Sequence, residues 1–171
     1  MSGLGRRGAA SIRTALPTDA AAMARVHVDT WREAYRGLMT DELLDAADFV
    51  ARREVLWTRV LTDDFPQHRV AVAESADGIV GIAMSGPPMD DDTPAQRQLY
   101  VLYVYAAHHG SGIGAQLLSA VTDVGEPTCL WVADPNPRAQ AFYRRSGFAP
   151  DGVERIGDGV REIRMLRPEA R

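Results

Sequence analysis

Residues 98–121 read QLYVLYVYAAHHGSGIGAQLLSAV, and this stretch decides the fold. Its first part, up to Tyr105, is apolar at both alternating sets of positions, which is typical of a central strand that helices cover on both faces. A glycine-rich turn at residues 109–114 follows, and apolar residues then recur at helical spacing from Ile113 onward. The order of strand, glycine-rich turn and amphipathic helix predicts a parallel crossover in the middle of an α/β domain.

Two helices and a hairpin are predicted before this unit. A short edge strand is expected at residues 11–15. One helix begins near Thr18 and a second near Thr40, because threonine is a preferred N-cap residue. Residues 69–85 alternate around an Ala-Asp-Gly turn and predict a hairpin. Residues 86–94 are rich in proline and aspartate, and we expect a solvated loop there.

A strand, a helix and a second hairpin are predicted after the strand–turn–helix unit at residues 98–121. The strand covers residues 129–132, the helix residues 136–146 and the hairpin residues 148–166. The predicted order is β-α-α-β-β-β-α-β-α-β-β. This order describes one mixed α/β domain at residues 11–168, behind a flexible segment at residues 1–10.

Composition and charge exclude several classes of protein. The 171 residues are 46% hydrophobic and 25% charged, which is ordinary for a globular domain. The net charge of −4 argues against a nucleic-acid binder, and no apolar run approaches the ~20 residues that span a bilayer. Cys129 is the single cysteine, so no disulfide forms within the chain. We expect a cytoplasmic protein with no membrane and no nucleic acid among its partners, and Cys129 as a small buried hydrophobe.

The glycine-rich turn predicts a phosphate site. A helix N-terminus leaves about four backbone N–H groups unpaired, and its dipole favours an anion. Glycine lets the backbone approach phosphate oxygens closely, so a phosphate or pyrophosphate is expected at residues 110–114. A tight strand-to-helix turn without a ligand is the simpler alternative.

A dinucleotide-binding fingerprint is a second functional alternative. Gly110, Gly112 and Ala115 match Gly-x-Gly-x-x-Gly/Ala, and Asp134 follows about 20 residues later, where a ribose-binding acid belongs. However, only a helix and a hairpin follow Asp134, whereas a dinucleotide-binding domain needs further strand–helix–strand units.

Two ordered motifs resemble the GNAT family of N-acetyltransferases. The first resembles Gln/Arg-x-x-Gly-x-Gly/Ala after a central strand, with His109 at the position of glutamine or arginine. Its residues here are His109, Gly110, Ser111, Gly112, Ile113 and Gly114. The second resembles Asn-x-x-Ala-x-x-Phe-Tyr-x-x-x-Gly-Phe. Its residues are Asn136, Ala139, Phe142, Tyr143, Gly147 and Phe148.

The resemblance implies a single mixed-sheet GNAT domain that uses acetyl-CoA as acyl donor and no metal. The central strand would splay from the next strand, Val104 from Leu130, and the cofactor would lie in that gap. Tyr143 would protonate the departing thiolate as the general acid. The implied cofactor-binding residues are Leu102, Val104, His109, Gly110, Ser111, Gly112, Ile113, Gly114 and Asn136.

The general base is the open question. An amine with a pKa of ~10.4 must lose a proton before it attacks a thioester. Many family members carry a glutamate near the start of the central strand, where Gln98 stands here and cannot titrate. Glu74 on the preceding hairpin is the candidate, directly or through a water. His108 and His109 titrate in the right range but lie at the phosphate end of the strand.

Trp31 and Tyr35, on the first helix, are the candidate acceptor-binding residues, with burial in the core as the alternative. The predicted function is transfer of an acetyl group to a primary amine of a small molecule, peptide or protein. A non-catalytic acyl-CoA-binding sensor is the alternative. Members of the family are often homodimers, so a homodimer is a weaker expectation.

Overall fold

A computed structural model describes residues 9–63 and 65–170. The N-terminal segment expected to be flexible lies, up to residue 8, outside the described residues. The strands are β1 (Ser11–Thr14), β2 (Arg69–Ser75), β3 (Gly78–Gly86), β4 (Arg97–Val104), β5 (Thr128–Ala133), β6 (Ala149–Gly157) and β7 (Val160–Arg167). The α-helices are α1 (Ala20–Tyr35), α2 (Asp41–Leu44), α3 (Phe49–Thr62), α4 (Ile113–Val121) and α5 (Pro137–Arg145).

The seven strands form one sheet in the order β1-β2-β3-β4-β5-β7-β6. Only β4 and β5 pair in parallel, and every other neighbouring pair is antiparallel. The predicted mixed α/β domain is therefore confirmed, with both hairpins and the central crossover in place. A dinucleotide-binding fold would have required a mostly parallel sheet, so that alternative is excluded.

The predicted second helix is in fact two helices. α2 is capped at Thr40, whose side chain accepts a hydrogen bond from the Leu43 amide, but it ends after four residues. Arg32 of α1 donates from Nε to the Leu44 carbonyl oxygen at 2.9 Å and so satisfies the end of α2. The break depends on this contact between helices, and no glycine or proline marks it in the sequence.

Apolar residues cover both faces of the sheet. α4 packs on one face with Leu117 and Val121 fully buried, together with the side chains of Leu130 and Met165. α1 and α3 pack on the other face, where Trp57 is buried. Among the described residues, no helix is long and apolar enough to cross a bilayer.

Strands β4 and β5 separate after three residue pairs. Arg97, Gln98 and Leu99 pair with Thr128, Cys129 and Leu130, and the ladder ends there. β4 continues beside β3 to Val104, and β5 continues beside β7 to Ala133. The splay expected between Val104 and Leu130 is therefore present, and we call this opening the cleft.

Candidate active site

The cleft leaves one edge of β4 without a strand partner beyond Leu99. Side chains alternate along this part of β4: Leu102 and Val104 pack on the α4 side, and Tyr103 packs on the side of α1 and α3. Unpaired main-chain groups at a strand edge are ready donors and acceptors for an extended ligand. The cleft can therefore hold a chain-like molecule along β4.

The glycine-rich turn lies at the end of β4 and opens α4. Gly110 and Gly112 have φ values of +75° and +86°, which side chains with a Cβ rarely adopt. Several backbone N–H groups here make no hydrogen bond to any residue that the structure describes: those of Gly110, Ser111, Gly112, Gly114 and Ala115. A Cβ added at Gly110 would meet nothing within 4 Å, so space for a ligand lies beside the turn.

Two side chains of the turn shape its backbone. The Nε2 of His109 lies 2.8 Å from the Val104 carbonyl oxygen and donates to it, because a carbonyl only accepts. Ser111 donates from Oγ to the His108 carbonyl oxygen at 2.6 Å. The Val104 carbonyl is therefore engaged in this structure, and the contribution of His109 and Ser111 comes through the shape of the turn.

Close contact between α4 and α5 requires Gly114. A Cβ at Gly114 would lie 3.3 Å from the Cε2 atom of Phe142. The helical spacing suggested that Phe142 anchors in the core while Tyr143 faces the cofactor. Tyr143 is in fact the more buried of the two: it is 9% exposed, whereas Phe142 is half-buried against Gly114. The Tyr143 ring packs against Phe148, with ring centroids 5.8 Å apart.

Three tyrosines on different elements influence one another's pKa: Tyr35 on α1, Tyr103 on β4 and Tyr143 on α5. Burial raises the pKa of Tyr143, with a further contribution from Tyr103. Burial also raises the pKa of Tyr35, and Tyr103 and Tyr143 raise it further. The charges of the three side chains are therefore near enough to act on one another.

The Tyr143 hydroxyl suits a proton donor. It makes no hydrogen bond to any described residue, and its raised pKa keeps it protonated at neutral pH. The role of Tyr143 as general acid stays a prediction.

Trp31 and Tyr35 lie beside Tyr103 on the acceptor side, which we define as the face of the sheet that α1 and α3 cover. Their ring centroids are 5.5 Å apart, and Trp31 lies 6.5 Å from the Tyr103 ring. The buried indole Nε1 of Trp31 lies near the Tyr103 hydroxyl but outside hydrogen-bonding geometry. Both residues are half-buried, so they border the cleft and also pack against the core.

Asn136 caps α5. Its Oδ1 accepts a hydrogen bond from the Ala139 amide at 3.3 Å, and Pro137 occupies the first helical position. The nearby Asp134 accepts from Gln140 and Arg161, so the carboxylate suggested for a ribose is engaged in the structure. Asn136 therefore positions the helix that carries Tyr143, and its amide nitrogen is left for a ligand.

The structure does not bring Glu74 to the tyrosines. Glu74 lies on β2, which β3 separates from β4. Its carboxylate accepts from the Nε of Arg13 at 2.7 Å, and Arg13 also binds Asp19. The non-titrating Gln98 is buried and accepts from the Met89 amide at 2.9 Å, so it holds a loop in place.

Glu162 is a carboxylate that the sequence did not single out and whose charge acts on two of the tyrosines. It lies on β7 opposite Ala133 and raises the pKa of both Tyr35 and Tyr103. Its Oε2 accepts from the Nε of Arg155 at 2.7 Å. The alternating pattern of this strand predicts which residues share a face, but only the register of β7 beside β5 brings Glu162 to the tyrosines.

The aspartate-rich segment is a loop with exposed residues, as predicted, but two of its aspartates are also bound to side chains of the sheet. Asp92 pairs with Arg164 at 2.6 Å, and Asp90 accepts from the Trp131 Nε1 at 2.8 Å. The Arg164 side chain is only 4% exposed, and such a buried cation needs carboxylate partners. The loop therefore belongs to the wall of the acceptor side beside β5 and β7.

Comparison with known proteins places this arrangement in a family. Residues 66–150 match the model of the acetyltransferase (GNAT) domain. A probable N-acetyltransferase of Mycobacterium tuberculosis is 30% identical over 149 residues, which cover 82% of this chain and 80% of that protein. An uncharacterized N-acetyltransferase of Bacillus subtilis is 25% identical over 167 residues, which cover 93% of each chain.

A solved structure shows the same fold. The PaiA N-acetyltransferase of Thermoplasma acidophilum, in complex with coenzyme A, superposes with a TM-score of 0.69 at 17% identity. The match covers 94% of this chain and 99% of that one. The chain described here belongs to the GNAT family and is an acetyl-CoA-dependent N-acyltransferase.

Proposed function

We propose that this protein transfers the acetyl group of acetyl-CoA to a primary amine of a small molecule, peptide or protein. The observation that carries the proposal is the splay of β4 from β5 after Leu99, together with the unpaired amides of the glycine-rich turn at the end of β4. This opening connects the glycine-rich turn on one side of the sheet with the acceptor side on the other. Donor and acceptor can therefore meet at one point from opposite faces.

The glycine-rich turn fits the pyrophosphate of coenzyme A. Its unpaired amides, from Gly110 to Ala115, lie at the N-terminus of α4, where the helix dipole favours an anion. The pantetheine arm would follow the free edge of β4 beside Leu102 and Val104, with Asn136 opposite. Bound acetyl-CoA supplies an activated thioester carbonyl at the cleft.

Two residues of this chain would move the protons. Glu162 faces the tyrosines from β7 and would take a proton from the incoming ammonium, directly or through a water. The neutral amine then attacks the thioester carbonyl, and the tetrahedral intermediate collapses with cleavage of the C–S bond. The second proton that the nitrogen must lose would pass through water to replace the one that Tyr143 gives up, and Glu162 would release its proton to solvent. Tyr143 would donate its hydroxyl proton to the leaving thiolate sulfur, and a raised pKa keeps that proton in place until negative charge develops.

The direct test measures release of free coenzyme A. The protein is incubated with acetyl-CoA and a panel of amines, free thiol is titrated, and products are identified by mass spectrometry. Amine-dependent release, with a product heavier by one acetyl group, is expected. Tight binding of coenzyme A without release for any amine would contradict catalysis and support the non-catalytic sensor.

A further inference from the structure

Arg53 is a half-buried cation on the acceptor side. It projects from α3, and its Cζ atom lies 5.1 Å from the centre of the Trp31 ring and 5.3 Å from that of Phe49. Both distances are within the range of cation–π contacts. These rings hold the guanidinium in place, so its position is set by packing against aromatic residues.

Arg53 has no anionic partner. Its Nε is buried without a hydrogen-bond partner, and its side chain forms no ion pair with any described residue. The other half-buried or buried arginines of residues 9–63 and 65–170 each donate to at least one carboxylate, carbonyl or hydroxyl oxygen: Arg13, Arg32, Arg69, Arg97, Arg164 and Arg167. The Nε of Arg167 is also buried without a partner, but its Nη2 donates to the Asp123 carbonyl and the Thr122 hydroxyl. A partly buried guanidinium normally makes such hydrogen bonds.

The charge of Arg53 reaches the cleft. It opposes the effect of burial on the pKa of Tyr103, and it lowers the pKa of His27 on the neighbouring helix. Glu162 acts on Tyr103 with the opposite sign. On the acceptor side, the positive charge of Arg53 and the negative charge of Glu162 therefore both act on Tyr103.

We propose that the acceptor amine also carries a carboxylate, and that Arg53 binds this carboxylate. The inference rests on the proposed function and narrows its acceptor to small amino acids. The amino group lies toward Glu162 and Tyr143, and the carboxylate lies toward Arg53. A guanidinium recognises a carboxylate through paired N–H donors, which gives both affinity and orientation.

The test compares amino acids with their carboxamides. Each pair differs only in the negatively charged carboxylate that Arg53 would bind. The set comprises the protein α-amino acids, β-alanine and 4-aminobutyrate, each beside its carboxamide. Equilibrium binding is measured calorimetrically with coenzyme A present, so the result does not depend on turnover. Acetylation of the same pairs is measured in parallel as kcat/KM.

Arg53→Gln is the decisive variant, and Arg52→Gln is its matched control. Arg52 is the neighbouring residue on α3 but is exposed and paired with Asp48 at 3.2 Å. In the wild type and in Arg52→Gln, at least one amino acid should bind about 10- to 100-fold more tightly than its carboxamide. In Arg53→Gln this ratio should fall to about one, while coenzyme A affinity and the binding of the carboxamide stay unchanged.

Two results would overturn the inference. One is that the wild-type protein binds no amino acid more tightly than the corresponding carboxamide. A preference for uncharged amines or for peptides counts as this result. The other is a preference that survives in Arg53→Gln, which would leave Arg53 as a packing residue. The two proposals can fail separately. If no amine is acetylated but amino acids still bind better than their carboxamides in an Arg53-dependent way, the proposed catalysis is contradicted and the carboxylate site is supported.

Discussion

At the scale of single residues, the chemistry depends on a few side chains whose state is set by burial. Tyr143 is nearly inaccessible, and its hydroxyl has no partner among the residues that the structure describes. Glu162 and Glu74 are both strand carboxylates with an arginine partner, but only Glu162 acts on the tyrosines of the cleft. Glu162 and Glu74 have the same side chain, so their positions in the sheet distinguish them as candidate bases.

Replacement of Tyr143 by phenylalanine removes only the hydroxyl and keeps the ring against Phe148. If the hydroxyl protonates the leaving thiolate, kcat should fall roughly 10²- to 10⁴-fold. The KM for acetyl-CoA should change little, because the lost interaction belongs to the transition state. Tyr100→Phe, which removes a hydroxyl that donates to the Pro87 carbonyl oxygen, is the control. A Tyr143→Phe kcat within about threefold of wild type would exclude the role.

Glutamine substitutions at Glu162 and Glu74 distinguish the two bases. Glu162→Gln should lower kcat/KM by roughly 10² or more at neutral pH, because glutamine cannot accept the proton. Glu74→Gln should stay within about threefold of wild type, because its carboxylate is held by Arg13 on the far side of β3. The opposite outcome, with the loss confined to Glu74→Gln, would support the assignment made from the sequence.

At the scale of elements, two breaks in regular structure create the site. The ladder between β4 and β5 stops at Leu99, and α4 begins at a glycine with φ of +86° and no side-chain cap. A side-chain cap at this N-terminus would satisfy amides that an anion can otherwise bind. The first break leaves an edge of β4 unpaired, and the second leaves amides at the start of α4 unpaired, among the described residues. These are the main-chain groups that we propose bind the cofactor.

A negative charge at the start of α4 should abolish cofactor binding. Gly112→Asp should weaken coenzyme A binding on the order of 100-fold, because like charges about 4 Å apart near a surface repel by a few kcal/mol. Gly112→Asn has nearly the same shape and tolerates positive φ, so it isolates the charge. Gly125→Asp, at an exposed glycine with open space around it, controls for net charge. Equal calorimetric affinities for Asp and Asn at position 112 would contradict the phosphate site.

At the scale of the whole molecule, the core on the acceptor side contains a buried histidine. His27 packs against Trp31, Trp57 and Tyr103, and neither ring nitrogen has a hydrogen-bond partner. Burial, with a smaller contribution from the charge of Arg53, lowers the pKa of His27 to about 3. The folded protein therefore keeps this ring neutral where the unfolded chain protonates it.

Stability should fall with acidity because of this histidine. The folded pKa lies below the unfolded value of 6.5, so the contribution is complete above pH 6.5 and is lost as the pH falls toward 3. In this window, His27→Leu should remove roughly 1.4 kcal/mol per pH unit from the slope of the unfolding free energy. The free energy of unfolding is measured by urea denaturation of both proteins at several pH values between 7.5 and 4.5.

His27→Gln provides a second non-titrating variant for the same measurement. It should lose the same slope as His27→Leu, although its absolute stability differs because a polar amide replaces the ring. If both variants keep the wild-type slope, the histidine titrates normally in the folded state and the acid sensitivity has another origin.

Local sequence was sufficient for the order of the strands and for the glycine-rich turn before α4. Glycines between a doubly apolar strand and an amphipathic helix restrict the backbone within a few residues, so residues 98–121 predict their own conformation. The Asn136 cap is equally local, since Oδ1 bonds to an amide three residues away. Local patterns did not reveal the break after Leu44, because Arg32 stabilises it from another helix.

Only the tertiary structure decided which side chains act on one another. Tyr35 on α1 and Tyr143 on α5 are far apart in the sequence, yet Tyr143 raises the pKa of Tyr35. Glu162 reaches them through the register of β7 beside β5, and Arg53 through the packing of α3 on α1. These contacts depend on strand order, register and helix packing over long sequence separations, and residue spacing along the chain does not encode them.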